Sequence, residues 1–128
     1  MAMKKVLIVE DDETLLKVLT VRCRNLQMEV ITSADAIDAR KKITRHVPDL
    51  IVLDINMPGG DAFSVCEMLS KSSQLSKIPV IILTGDTSHD TLERCRQYGA
   101  FYVPKSPYAW QTLKPMIGRL LNIPKAKY

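Results

Sequence analysis

The chain has 128 residues, 46% apolar and 25% charged, with a formal net charge of +4. That length fits one globular domain able to bury a core of its own, and the composition excludes collagen-like, low-complexity and disordered chains. No stretch nears the roughly 18 consecutive apolar residues that a membrane-spanning helix needs, and so mild a basicity does not by itself argue for nucleic acid.

The first apolar run, Val-Leu-Ile-Val at 6–9, leads straight into four acids, Glu10, Asp11, Asp12 and Glu13. A secretory signal would not tolerate that sequel, so a cytoplasmic location is expected. Leu15, Leu19, Cys23 and Leu26 then recur at three- and four-residue steps, which predicts a helix over 13–26. A second β-rich run covers 29–32 and a second helical pattern 34–45. The latter carries Arg40, Lys41, Lys42 and Arg45, read as a solvated basic face. The third run, 50–53, ends in Asp54 and a loop of Asn56, Met57, Pro58, Gly59, Gly60 and Asp61, ahead of a helix over 61–71. The fourth run, 80–83, is followed by Thr84, Gly85 and Asp86, then by a helix over 88–98 that His89 helps to open. The fifth, 101–103, contains Tyr102 and is followed by Pro104, Lys105, Ser106 and Pro107. Trp110, Leu113, Ile117 and Leu120 mark a last helix over 107–121. Residues 122–128 read as a tail or the start of a linker, which leaves one domain over 1–128 with its core at about 4–121.

Five strands alternating with five helices imply right-handed crossovers and a parallel, doubly wound α/β sheet covered on both faces. The runs at 6–9 and 80–83 are apolar at every position, as strands buried on both faces require. The three cysteines, Cys23, Cys66 and Cys95, are too widely spaced for a zinc site and odd in number, so they are read as buried free thiols. His46 and His89 lack ligand spacing.

In an open parallel sheet, ligands bind beyond the carboxyl ends of the strands. Those ends carry Glu10 to Glu13, Asp54 with Asn56, Thr84 with Asp86, and Lys105. The acids after the first strand have two readings. They cap the following helix and offset its dipole, or Glu10 and Asp11 meet Asp54 in one cluster. Capping does not explain why a buried strand should end in Asp54. An all-oxygen cluster that recruits a cation favours a hard one, Mg²⁺ over Ca²⁺, with Mn²⁺ as an alternative. Opposite such a cluster, Lys105 and Thr84 would suit the oxygens of a phosphoryl group on Asp54, since aspartyl phosphates are established intermediates.

The segments VLIVEDD, LDINMPGGD, ILTG and GAFYVPKSP, in this order over about 4–121, resemble the receiver domain of two-component response regulators. The resemblance implies a flavodoxin-like sheet of strand order 2-1-3-4-5. It implies Asp54 as phosphoacceptor, and Glu10, Asp11, Asp54 and the Asn56 carbonyl as Mg²⁺ ligands. Thr84 and Lys105 would be the phosphoryl-binding pair, Thr84 and Tyr102 the switch residues, and Asn56 and Asp86 the positions that tune hydrolysis. It implies a histidine kinase or histidine phosphotransfer domain as donor. A downstream effector would read the surface of the fourth helix, fifth strand and fifth helix, with a homodimer on phosphorylation as a further state. Direct nucleic-acid or membrane binding is not expected, nor is enzymatic activity beyond the chain's own phosphorylation and dephosphorylation. Two departures stand out. Lys105 is followed by Ser106 rather than directly by proline, and Gly59-Gly60 interrupts the usual acceptor loop. The readings from other classes are a flavodoxin-like FMN protein, a small phosphatase, and an interaction module that keeps the pocket but takes up no phosphate.

Overall fold

The computed structural model describes residues 3–55, 57 and 62–124. Its five strands are β1 (Lys5–Val9), β2 (Glu29–Ser33), β3 (Leu50–Leu53), β4 (Val80–Thr84) and β5 (Phe101–Pro104). They form one parallel sheet in the order β2-β1-β3-β4-β5. The helices are α1 (Glu13–Asn25), α2 (Ala36–His46), α3 (Ala62–Ser70), α4 (His89–Gln97) and α5 (Ala109–Leu120). This is the expected doubly wound flavodoxin-like arrangement, with the predicted elements in place. A short 3₁₀ turn at Leu75–Lys77 adds an element that the apolar pattern does not signal.

The three central strands are buried over their apolar lengths, and their side chains alternate between two core layers. Leu7, Val9, Ile51, Leu53 and Ile82 face one layer, which α2, α3 and Cys95 of α4 complete. Val6, Ile8, Leu50, Val52, Ile81 and Leu83 face the other, filled by Leu19, Cys23 and Leu26 beside α1 and by Leu113, Ile117 and Leu121 beside α5. The three cysteines are buried thiols outside any disulfide, as their spacing implied. Burial pushes the Cys23 thiol up to about 12.

Helix ends follow local chemistry. The Asp12 carboxylate accepts from Thr14 N at 2.9 Å and Leu15 N at 3.1 Å, starting α1. Asp35 accepts from Asp38 N at 2.7 Å, so α2 starts after it rather than at 34. Gly99, at φ 68°, supplies the left-handed turn between α4 and β5. Pro115 lies inside α5 and removes one intrahelical donor. Among the described residues no helix is long and apolar enough to cross a membrane.

Candidate functional site

Register decides which groups meet. Val9 pairs with Leu53 and with Ser33, so β1 and β3 end side by side. Asp54 N donates to Val9 O at 3.0 Å, and Glu10 N donates to Ser33 O at 2.9 Å. Thr84 pairs with Pro104, and Lys105 N donates to Thr84 O at 2.7 Å. The backbone ladder thus carries Glu10, Asp54, Thr84 and Lys105 to one edge of the sheet.

Their side chains converge there. Glu10 is 2% exposed and Asp54 8%, so both carboxylates are largely withdrawn from water. One oxygen from each of Glu10, Asp11 and Asp54 lies within 4.8 Å of the others. The Lys105 ammonium stands 2.9 Å from Glu10 Oε1 and 3.4 Å from Asp54 Oδ2. Glu10 Oε2 accepts from Asp12 N at 3.2 Å. Both readings of the acidic run therefore hold, for different residues: Asp12 caps α1, while Glu10 and Asp11 join Asp54.

Burial is the largest effect on Glu10. It raises the carboxyl to about 7, against the lowering by Lys105 and Asp12 and with the help of the Asp54 charge. Burial also works against the Lys105 charge, but Glu10 and Asp54 outweigh it and hold the ammonium above its ordinary range. Glu10 Oε1 is buried without an aligned hydrogen-bond donor among the described residues, so its contact with Lys105 is an ion pair by distance and charge alone. An under-satisfied buried oxygen within an all-carboxylate cluster fits a hard divalent cation.

Thr84 is 1% exposed, and its Oγ1 accepts from Asp86 N at 2.9 Å. That bond uses a lone pair and leaves the hydroxyl proton available for donation. Tyr102 is half-buried and packs on the core layer that contains Cys95. Burial first, then the Cys95 and Asp86 charges, raise its phenol. Asp86 is exposed, and its carboxylate accepts from Ser88 N at 2.9 Å and Thr91 Oγ1 at 2.7 Å. These bonds, the Ser88 amide first, hold it below the usual carboxylate range. His89 opens α4 with Ser88 as its cap. Asn56 and the loop 58–61 lie outside the described residues.

Sequence reasoning did not anticipate that Lys105 reaches Glu10 more closely than Asp54. It also missed a contact set between α3 and α4. Arg94 lies 4.0 Å over the Phe63 ring, Phe63 stacks on Tyr98 at 6.0 Å, and Tyr98 donates to Glu67 at 3.0 Å. The aromatic and charged residues of these two helices were the available signal, but their contact depends on tertiary packing.

The sequence pattern of the response regulator receiver domain matches residues 6–117. The chain belongs to that family. Among curated relatives, the "Probable transcriptional regulator ycf27" of Cyanophora paradoxa is 35% identical over 121 residues, covering 93% of this chain and 48% of that protein. The chain thus spans about half the length of this relative, and less of others such as the Bacillus subtilis regulator PhoP, at 33%. Among solved structures, the Vibrio cholerae chemotaxis protein CheY4 superposes with a TM-score of 0.84 at 29% identity, covering 93% of this receiver and 99% of that chain. The receiver domain of a sensor histidine kinase from Pseudomonas aeruginosa superposes with a TM-score of 0.83 at 27% identity, covering 94% and 99%. That structure holds a magnesium ion in its active-site cleft.

Proposed function

We propose that this receiver is a phosphorylation switch in which Asp54 accepts a phosphoryl group from the phosphohistidine of a histidine kinase or histidine phosphotransfer domain. The observation that carries this reading is the convergence at one sheet edge of three carboxylates, one ammonium and one buried hydroxyl. An Asp54 oxygen attacks the donor's phosphorus. The bond from phosphorus to the imidazole nitrogen breaks, and the imidazole leaves with the electron pair. The strand end fixes Asp54, so little reorganisation stands between the ground state and in-line transfer. Lys105 neutralises charge on the transferred group, and the Thr84 hydroxyl donates to one of its oxygens.

Glu10, Asp11 and Asp54 would hold Mg²⁺, or Mn²⁺ in its place, with the Asn56 carbonyl as a further ligand. A bound cation supplies charge neutralisation between the acceptor and the incoming phosphoryl oxygens. The same residues serve the loss of the group by hydrolysis, with Asn56 and Asp86 as the positions that tune its rate. No other enzymatic activity is proposed for the chain, whose residues 1–128 we read as one receiver domain with its core at about 4–121.

Phosphorylation replaces one negative charge by about two and adds acceptor oxygens. Thr84 then moves toward the phosphoryl group and Tyr102 follows. The surface of α4, β5 and α5 changes for a downstream effector or for a second receiver. The reading extends to a cytoplasmic protein acting through protein partners, with neither membrane nor nucleic acid contacted by this chain.

The test is intact-protein mass spectrometry after incubation with Mg²⁺ and acetyl phosphate, beside Asp54→Asn. The expected result is a phosphoryl-sized gain that needs both Mg²⁺ and Asp54. No gain in the folded, metal-saturated protein would instead favour an interaction module that takes up no phosphate.

A further inference from the structure

α4 contributes little apolar burial to the core: Cys95 is its single buried apolar side chain. In nine residues it buries only Thr91 and Cys95, and Leu92 is 39% exposed. Its N-terminal end is held by polar contacts instead. Ser88 caps it, accepting from Thr91 N at 3.3 Å. The buried Thr91 hydroxyl reaches back out of the helix to Asp86, at 2.7 Å. Asp86 also accepts from Ser88 N through its other carboxylate oxygen, and its own amide donates to Thr84 Oγ1. The result is a continuous chain of hydrogen bonds from the Thr84 hydroxyl to the underside of α4, with Asp86 as its middle link.

We propose that Asp86 is a positioning residue that ties the first turn of α4 to the rotameric state of Thr84, with Thr91 as the hook inside the helix. The proposal rests on the phosphorylation reading of Thr84 and goes beyond it. It gives the Asp86 carboxylate a structural partner on α4, in addition to the hydrolysis-tuning role proposed above.

The argument is one of shared atoms. Thr84 Oγ1 is the acceptor for Asp86 N. When Thr84 changes rotamer to bring its hydroxyl to a phosphoryl oxygen, Oγ1 moves away from the Asp86 amide. The Asp86 amide then loses or lengthens its bond. Asp86 cannot adjust alone, because both its carboxylate oxygens are engaged by residues 88 and 91. A helix with so little apolar burial follows the link rather than resisting it. Tyr102 and this link would then act on α4 from two sides, one through packing near Cys95 and one through hydrogen bonds.

The experiment is amide hydrogen exchange of residues 89–93, with and without Mg²⁺ and beryllium fluoride as the phosphoryl mimic. It compares the full chain with Thr91→Val, Asp86→Ala and the conservative Asp86→Asn. Phosphoryl uptake at Asp54 from acetyl phosphate, in separate samples without the mimic, is followed in parallel by intact mass. Thr91→Val keeps the volume and removes the hydroxyl. In the unmodified chain the mimic should change exchange in this turn by about tenfold. In Thr91→Val and Asp86→Ala that response should largely vanish, and Asp86→Asn should restore part of it, since its carbonyl can still accept. Uptake at Asp54 should persist in Thr91→Val. A plain helix cap would raise exchange equally with and without the mimic and leave the response intact, and that outcome overturns the proposal. Uptake at Asp54 without any mimic-dependent exchange change in the unmodified chain also overturns it, while leaving the phosphoacceptor reading standing. Absence of uptake in the unmodified chain removes both.

Discussion

Replacing Lys105 by methionine should tighten Mg²⁺ binding, although it disables phosphoryl transfer. Methionine keeps most of the apolar stem and deletes the charge. The ammonium lies 2.9 Å from Glu10 Oε1 and 3.4 Å from Asp54 Oδ2, so it occupies the charge that a cation would use. At an effective dielectric near 20, each contact is worth roughly 5 kcal/mol of gross attraction. The side chain is 31% exposed, and solvent screening reduces the net value several-fold. A residual competition of about 1.4 kcal/mol corresponds to a tenfold gain in affinity. The gain depends on pH. Without the ammonium, the Glu10 carboxyl rises beyond its value of about 7, so protons take over the competition near neutrality. An NMR titration with Mg²⁺ should therefore show close to tenfold tighter binding at pH 8.5 and a much smaller difference at pH 6.5. Acetyl phosphate should meanwhile label Asp54 at least a hundredfold more slowly than in the unmodified chain, about 2.7 kcal/mol of lost stabilisation. Weaker or unchanged Mg²⁺ affinity at pH 8.5 would refute the reasoning, because the ammonium would then be assisting the cation site rather than competing for it.

Three further predictions concern stability and the division of labour among the acids. Between about pH 4.5 and 7 the folded, metal-free chain holds on Glu10 a proton that the unfolded chain has released, so this group's contribution to stability declines as pH rises through that window. Thermal melts should show that decline in excess Glu10→Gln-corrected stability, and Mg²⁺ should reverse it; a contribution that grows with pH would contradict the burial argument. Asp12→Ala removes the cap of α1, with its bonds to Thr14 N and Leu15 N, and should cost about 1 kcal/mol in urea unfolding while leaving Mg²⁺ affinity within twofold. Ile117→Ala empties a site that is 1% exposed, between α5 and the sheet, and should cost about 2–5 kcal/mol, read from the same unfolding curves.

The strands were legible because the central ones are uniformly apolar over 6–9, 50–53 and 80–83, a pattern that a sheet covered on both faces enforces and that a solvent-facing sheet would break. The site was legible for a related reason. Asp54 follows such a run with a charge, Glu10 and Lys105 stand one step past the ends of β1 and β5, and Thr84 closes β4. What the sequence could not supply was direction. Nothing in the spacing of Glu10 and Lys105 says that they meet at 2.9 Å, because that depends on register and rotamer. Asp86 was readable as a neighbour of the acceptor but not as the partner of Thr91, five residues on, since that bond requires the helix to exist first. Leu75–Lys77 escaped notice because three residues, none of them buried, leave no periodicity to detect.

The sheet also works as a partition. Cys95 of α4 and Tyr102 pack on the layer that α2 and α3 complete, whereas α1 and α5 pack on the other. A substitution beneath α1 therefore leaves the packing of Tyr102 near Cys95 untouched, whereas one beneath α3 or α4 alters that layer directly. An engineer seeking a hardier signalling module would start beneath α1, at Leu19 and Leu26, and leave the layer of Cys95 and Tyr102 alone.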